Sequence, residues 1–285
     1  MSGKKLAIAM PTSVISDTPH LREKTSKVGL IGRAAAVFRV DEIIVFPDAA
    51  GKSKQKKEAD FITLLLSYLE TPQYLRKRFF KLEPRLQYAG ILPPLRTPHH
   101  PLNRKSRKLK VGEYREGVTV SKTKEGVLVD IGVEHPALMR ENQWALGKRL
   151  TLQVVAADER IEVQAVNRDQ VSGYWGYRVR LETRSFSSLV EKGKFDLVVA
   201  TSRIGIKFEN AAEKMGEHWR KADYKLIAFG APARGLHEIV KDEGFELNDL
   251  ADYVVNMVPD QGTETVRTEE AVFASLAVFN IQFDW

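Results

Sequence analysis

The N-terminal and C-terminal parts of the chain alternate short apolar runs with longer stretches in which apolar residues recur every three or four positions. The short runs are typical of buried strands, and the longer stretches are typical of helices that pack on one face. Such alternation predicts a parallel sheet with helices on both faces. The predicted strands are residues 6–10, 43–46, 195–200, 226–229 and 253–258. The predicted helices are residues 20–38, 60–69, 187–192, 210–221, 237–242 and 269–279. A further helix is predicted to begin at Thr71-Pro72.

The middle of the chain has a different pattern. A proline-rich linker comes first, and short β-like runs follow it, separated by glycine, lysine, aspartate and asparagine. These runs are residues 117–120, 127–131, 150–155, 161–166 and 174–181. Several short strands with turn signals predict a small barrel or sandwich. The pattern therefore predicts one α/β domain, residues 1–90 and 185–285, interrupted by a β domain of residues 91–184.

Composition narrows the function classes. The 285 residues include no cysteine, which excludes disulfides, thiolate metal sites and a cysteine nucleophile. We expect a cytoplasmic protein, and the absence of a long apolar run predicts no membrane partner. The net charge of +7 favours a polyanionic partner such as RNA, although the lysine and glutamate enrichment of thermophiles is an alternative.

Three glycine-containing loops follow predicted strands near the C-terminus, at residues 201–205, 230–236 and 259–267. In open α/β sheets, ligands bind at the carboxyl ends of the strands, and glycine allows the backbone to approach a ligand closely. One such loop is an ordinary turn, but three at successive strand ends favour a ligand site. No G-x-G-x-x-G or P-loop motif follows a strand, which argues against dinucleotide and P-loop sites.

Several stretches resemble the SPOUT, or α/β-knot, class of RNA methyltransferases. They are KVGLIGRAAAVFRVDEIIVF, GAPARGL and VPDQGTETVRTEEAVFASLAVFN. The run QYLRKRFFKLEPRLQYAGILPPLRTPHHPL is similar to the archaeal and eukaryotic subfamily that carries an OB-like barrel within its SPOUT trefoil-knot domain. The resemblance covers nearly the whole chain, although Asp260 stands where the motif leads us to expect asparagine. It implies a parallel-sheet knot domain interrupted by an OB-like barrel.

The resemblance also implies an activity, which is methyl transfer from S-adenosyl-L-methionine (SAM) to uridine N3 in ribosomal or transfer RNA, without a metal. Arg33 is the implied catalytic residue, where it could hold an RNA phosphate or polarise the target nucleotide; a solvated helix arginine is the alternative. The implied SAM-binding residues are Thr201, Gly205, Gly230, Gly235, Val258, Gly262, Thr263 and Val266. Glu238, after the second loop, is either a proton acceptor or part of a helix surface.

Basic side chains in the middle of the chain are candidates for RNA binding. They are Arg76, Arg78, Lys81, Arg104, Lys105, Arg107 and Lys108, together with His99 and His100 of the proline linker. The two histidines lack the spacing of metal ligands. They are therefore either ordinary residues of a surface loop, RNA-contacting residues or proton acceptors. OB-like barrels stack bases on aromatics beside a basic groove, so Tyr114, Tyr174, Trp175 and Tyr177 are either stacking residues or barrel core.

The last helix predicts a homodimer. Residues 271–279 are apolar nearly all round, so this helix must be buried on more than one side. An isologous contact with the same helix or the 20–38 helix of a second copy would bury it. Two other functions stay open: a non-enzymatic RNA-binding or ribosome-assembly protein that retains the fold, which need not bind SAM, and a general nucleotide-binding protein, which would bind ATP or NAD.

Overall fold

The computed structural model describes residues 4–48, 52–158 and 160–283 of the protein. The chain divides into two compact units. The sheet unit comprises residues Met1–Leu69, Pro84–Pro94 and Tyr177–Trp285, and the barrel unit comprises Glu70–Glu83 and Leu95–Gly176. The barrel unit is inserted within the sheet unit along the chain. Its boundaries differ from those predicted, because residues 70–83 belong to the barrel unit, whereas residues 91–94 and 177–184 belong to the sheet unit.

The described residues form the following elements. The strands are β1 Lys5–Pro11, β2 Glu42–Phe46, β3 Tyr114–Thr123, β4 Gly126–Asp130, β5 Ala137–Met139, β6 Arg149–Ala156, β7 Glu162–Ala165, β8 Arg178–Leu181, β9 Leu197–Lys207, β10 Tyr224–Ala228 and β11 Tyr253–Asn256. The helices are α1 Leu21–Val37, α2 Lys52–Glu70, α3 Gln73–Phe79, α4 Phe186–Lys192, α5 Phe208–Lys221, α6 Leu236–Asp242, α7 Leu247–Leu250 and α8 Thr268–Gln282. The sequence pattern missed only short elements, among them β5 and α7.

Over its described residues, the sheet unit contains six parallel strands in the order β11-β9-β10-β1-β2-β8. The central strand β1 is buried along almost its whole length, as expected for a strand with both faces covered. The prediction that residues 174–181 form a barrel strand is wrong, since β8 pairs in parallel with β2. As an edge strand, β8 mixes arginine with apolar residues, and this pattern is indistinguishable from that of a barrel strand.

The barrel unit is a closed barrel with the strand order β3-β4-β5-β7-β6. All neighbouring strands are antiparallel except β5 and β7. Inward-facing apolar side chains fill it, among them Val127, Val129 and Leu152. Helix α3 joins this unit through Tyr74, whose hydroxyl donates to the backbone oxygen of Glu116 at 2.7 Å.

The final helix α8 is buried on one side only. Val272, Leu276 and Phe279 are fully buried, and the Phe279 ring stacks on Trp219 with centroids 5.2 Å apart. Phe273 and Ala277 are half-buried, and Ile281 is largely exposed. A second apolar side of α8 is therefore incompletely covered within one chain. Over the described ranges, no helix combines the length and the apolar character needed to cross a membrane.

Candidate functional site

A pocket of about 390 Å³ lies at the carboxyl edge of the sheet. Segments that follow β10 and β11, part of β9 and one face of α8 form its wall. Its lining includes Thr201, Arg203, Gly230, Gly235, His237, Glu238, Asn256, Val258, Glu264, Val266, Thr268, Ala271 and Ser275. The three loops predicted from their glycines thus surround one cavity, because parallel strands end at the same edge.

The first of these loops lies inside β9 as an irregularity. Val254 of β11 pairs with Ala200, but the next residue, Val255, pairs with Ile206. Residues 201–205 therefore bulge out of the ladder and form part of the pocket. A Cβ on Gly205 would lie 2.8 Å from the Val254 oxygen and the Val255 nitrogen, so glycine is required here for close approach of two strands.

Hydrogen bonds tie the segments around the pocket to one another. The Thr201 hydroxyl donates to the Ala228 oxygen at 3.0 Å, and the Thr268 hydroxyl donates to the Gly230 oxygen at 3.1 Å. The side-chain amide of Asn256 donates to the Arg203 oxygen at 2.9 Å, and the Arg203 guanidinium donates to the Glu264 oxygen at 3.1 Å. The pocket wall is consequently fixed by contacts between distant parts of the chain.

Five of the eight predicted SAM-binding residues line the pocket. They are Thr201, Gly230, Gly235, Val258 and Val266. Gly205, Gly262 and Thr263 are outside the lining. Gly262 and Thr263 lie in an exposed turn, in which the Thr263 hydroxyl donates to the Thr265 oxygen at 2.9 Å.

Two polar residues of the pocket were not predicted from the sequence as part of the site. The Ser275 hydroxyl and Nε2 of His237 are both buried, and neither has a hydrogen-bond partner among the residues that the structure describes. An unpaired buried polar group is costly, so its partner is expected to come from a ligand. The one sequence signal for Ser275 is a serine within the apolar run AVFASLAVF.

Arg33 lies on α1, half-buried, and is not among the residues lining the pocket of its own chain. Its guanidinium donates to the backbone oxygen of Pro94 at 2.9 Å. The predicted position of Arg33 facing the SAM loops therefore does not occur within a single chain.

The complete burial of His99 does not fit its predicted RNA contact, whereas His100 is half-buried and its RNA contact stays a prediction. Both rings lie against Glu70 inside the barrel unit. His99 is 0% exposed, and its Nε2 lies 2.9 Å from the Glu70 backbone oxygen. His100 Nε2 lies 2.6 Å from the same oxygen. Burial, and then the neighbouring His99, lowers the pKa of His100 to about 4, so its ring is neutral at neutral pH.

Glu70 is the centre of a buried ionic network. Its carboxylate accepts hydrogen bonds from Arg149 at 2.7 and 3.1 Å, and Arg149 also donates to Glu116 at 2.6 Å. Burial by itself raises the pKa of Glu70, but the hydrogen bond with His99 and the charge of Arg149 outweigh it and hold the pKa at about 2. The network connects the chain before α3 to the barrel strands.

The predicted stacking aromatics are partly core residues. Trp175 is buried, and its indole N–H donates to Glu116 at 2.7 Å. Tyr177 is buried in the sheet unit, where its hydroxyl donates to the Leu66 oxygen at 3.1 Å. Tyr114 and Tyr174 are half-buried.

Comparison with known proteins connects these features to a family. The family model described as "Putative RNA methyltransferase" matches residues 5–279. The chain belongs to this family of RNA methyltransferases. It is 34% identical to the 28S rRNA (uridine-N(3))-methyltransferases of Drosophila melanogaster and Mus musculus, over 95% of this chain and 61% and 75% of theirs. A Halobacterium salinarum protein without a stated function is also 34% identical, over 95% of this chain and 96% of its own length.

The predicted RNA methyltransferase activity is thereby confirmed. In this RNA methyltransferase, Lys81, Arg104, Lys105, Arg107 and Lys108 are exposed, and their contact with RNA stays a prediction. Arg78 is exposed but lies 3.6 Å from the Asp130 carboxylate. Arg76 is half-buried and donates to the Thr71 oxygen at 2.9 Å.

Among the residues that the structure describes, no group of three or more His, Cys, Asp or Glu is arranged to hold a metal.

Proposed function

We propose that the pocket at the carboxyl edge of the sheet binds SAM, and that the protein methylates N3 of a uridine in ribosomal RNA in the cytoplasm. One observation carries the site assignment: three strand-end segments and α8 enclose a cavity whose wall contains two unpartnered buried polar atoms. The names of the Drosophila and mouse relatives support the acceptor atom and the RNA class.

The residues of the pocket fit this cofactor. Its volume of about 390 Å³ falls within the usual range for small-molecule sites. The buried Ser275 hydroxyl and His237 nitrogen can pair with the hydroxyls and ring nitrogens of an adenosine group. The exposed Arg203, Glu238 and Glu264 can pair with the carboxylate and amino group of a methionine end.

SAM, when bound, supplies a methyl group activated by a positively charged sulfur. Methylation at uridine N3 would also require an acceptor for the N3 proton. The protein's main contribution is alignment, for which the cross-linked pocket wall is suited. Glu238 presents an exposed carboxylate at the pocket and is the candidate proton acceptor.

The proposal extends to a knotted sheet unit and to a homodimer. The incompletely covered side of α8 and exposed Val37 of α1 lie near each other, because Phe38 and Phe273 have ring centroids 6.4 Å apart. A second copy on this side would bury both helices. A shared site would give Arg33 a role towards the pocket of the partner, which its position in a single chain does not allow.

Two measurements test the proposed function. Calorimetry should show binding of S-adenosylhomocysteine (SAH) without added metal, and no competition by ATP or NAD. Nucleoside mass spectrometry of ribosomal RNA from a deletion strain should show loss of N3-methyluridine. ATP binding without SAH binding would contradict the assignment of SAM as the cofactor. SAH binding together with an unchanged N3-methyluridine content would contradict uridine N3 of ribosomal RNA as the acceptor. A protein with neither SAH binding nor an RNA product would fit the ribosome-assembly alternative.

Replacing a pocket glycine extends the cofactor test. A Cβ on Gly230 would lie 3.1 to 3.2 Å from backbone atoms of Gly235, Arg234 and Leu236, so the Gly230→Val change must displace the second loop. We expect it to abolish SAH binding in calorimetry. Retained SAH affinity in a folded variant would place the cofactor elsewhere.

A further inference from the structure

Exposed apolar side chains accompany the cations of the barrel unit. We define the first basic segment as residues 76–82 and the second basic segment as residues 102–111. Within the first, Phe79 is 36% exposed and Leu82 is fully exposed; within the second, Leu102 is 80% exposed and Val111 is 66% exposed. The same two segments therefore expose both cations and apolar side chains.

Both basic segments contact residues 130–134 of the barrel, which comprise the end of β4 and the loop that follows it. From the first segment, the Arg78 guanidinium lies 3.6 Å from the Asp130 carboxylate. From the second, the backbone N–H of Ser106 donates to the Glu134 carboxylate at 2.6 Å. The two segments are therefore anchored to the same short stretch of the barrel unit.

Arg115 also connects the second basic segment to residues 130–134 of the barrel. Its side chain is fully buried and donates to the backbone oxygen of Asn103 at 3.0 Å and, more weakly, to that of Ile131 at 3.4 Å. One arginine therefore joins the second basic segment to this stretch. The cations and the exposed apolar side chains are consequently presented by a fixed scaffold.

The combination of cations with exposed apolar side chains favours unpaired RNA over duplex RNA. A duplex presents phosphates and sugars on its outside, with its bases stacked inside, and cations alone suffice to bind it. An unpaired strand also exposes the apolar faces of its bases, which pack on aromatic and apolar side chains. We propose that the two basic segments bind unpaired RNA, with Phe79, Leu82, Leu102 and Val111 in contact with bases and the cations in contact with phosphates. The proposal rests on the proposed function, since it specifies the RNA that the enzyme holds.

The test compares a single-stranded RNA with a duplex of the same length, by fluorescence anisotropy over a series of salt concentrations with the full-length protein. Wild-type protein should bind the single strand more tightly than the duplex. The double variant Leu82→Ala, Leu102→Ala should lose about tenfold in single-strand affinity, with duplex affinity and salt dependence unchanged. Leu146→Ala is the matched control, because Leu146 is 55% exposed in the same unit but lies outside both segments.

A cation variant separates the two contributions. Lys81→Ala with Lys105→Ala should weaken single-strand and duplex binding equally and make both less dependent on salt. Equal wild-type affinity for the two RNA forms, or single-strand affinity that is unaffected by the leucine changes, would overturn the proposal. Neither result would affect the proposed methylation, which the nucleoside analysis measures separately; absence of both RNA binding and methylation would overturn both.

Discussion

The Ser275 hydroxyl is expected to stabilise a complex with the cofactor while it destabilises the free protein. This hydroxyl is buried on the inner face of α8 without a partner. The Ser275→Ala change removes an unpaired hydroxyl, so the melting temperature of the ligand-free protein should stay the same or rise. The same change should weaken SAH binding about fivefold, since a net hydrogen bond contributes about 1 kcal/mol. Calorimetry and thermal melting measure the two effects.

The two effects of Ser275→Ala must occur together. A variant that becomes more stable and binds SAH with wild-type affinity would show that the hydroxyl does not contact the cofactor. A variant that loses both stability and affinity would show that the hydroxyl has a structural partner.

Glu70 has the opposite role, because all of its partners are already present. The Glu70→Gln change removes one carboxylate from the half-buried Arg149, which keeps its hydrogen bond to Glu116, and it should lower the free energy of unfolding by about 3 kcal/mol at neutral pH. Urea denaturation of the full chain measures this. Glu141→Gln, at an exposed position, is the control and should leave the free energy of unfolding unchanged within about 0.5 kcal/mol.

The contribution of Glu70 should also depend on pH. Its folded-state pKa of about 2 lies below the ordinary value of 4.5, so the carboxylate stabilises the fold above pH 4.5. The stability difference between wild type and Glu70→Gln should therefore be constant from neutral pH to about pH 4.5 and then shrink as the pH falls towards about 2. A difference that grows on acidification would contradict the depressed pKa.

At the scale of elements, the approach of β9 to β11 depends on Gly205. Because a Cβ there would lie 2.8 Å from backbone atoms of Val254 and Val255, Gly205→Ala should destabilise the protein by about 1–3 kcal/mol. It should also impair SAH binding, because the bulge in β9 forms part of the pocket. Denaturation and calorimetry check the two expectations.

Gly262→Ala is the matched control for Gly205→Ala. No atom lies within 4 Å of a Cβ at Gly262, and this glycine is outside the pocket lining. We expect wild-type stability and SAH affinity. Loss of SAH binding in Gly262→Ala would instead support the direct cofactor contact that the family resemblance implies.

At the scale of the whole molecule, the proposed dimer should depend on the exposed residues of α1 and α8. Val37→Glu with Ile281→Glu should convert a dimer into a monomer in sedimentation, because two carboxylates would be buried in the interface. Leu181→Glu, on the edge strand β8, is the control and should leave the dimer intact. A wild-type protein that sediments as a monomer at micromolar concentration would contradict the dimer.

Subunit mixing tests whether the dimer shares its active sites. If Arg33 acts on the pocket of the partner, Arg33→Ala and Gly230→Val subunits should each be inactive alone. Their heterodimer should regain activity, because it contains one intact site. The absence of activity after verified mixing would place Arg33 and the pocket glycine in the same functional site of one chain, whereas an Arg33→Ala protein that is active alone would remove Arg33 from the site.

The amino-acid sequence by itself determined the alternation of strands and helices, the inserted barrel and the three segments around the pocket, because burial imposes a period on apolar residues and parallel strands end at one edge. It could not place β8, since an edge strand and a barrel strand share one pattern. Only the tertiary structure decided that His99 and His100 lie against Glu70 and that Ser275 and His237 face the pocket without partners. Those properties depend on contacts between residues far apart in the chain, for which local periodicity carries no signal.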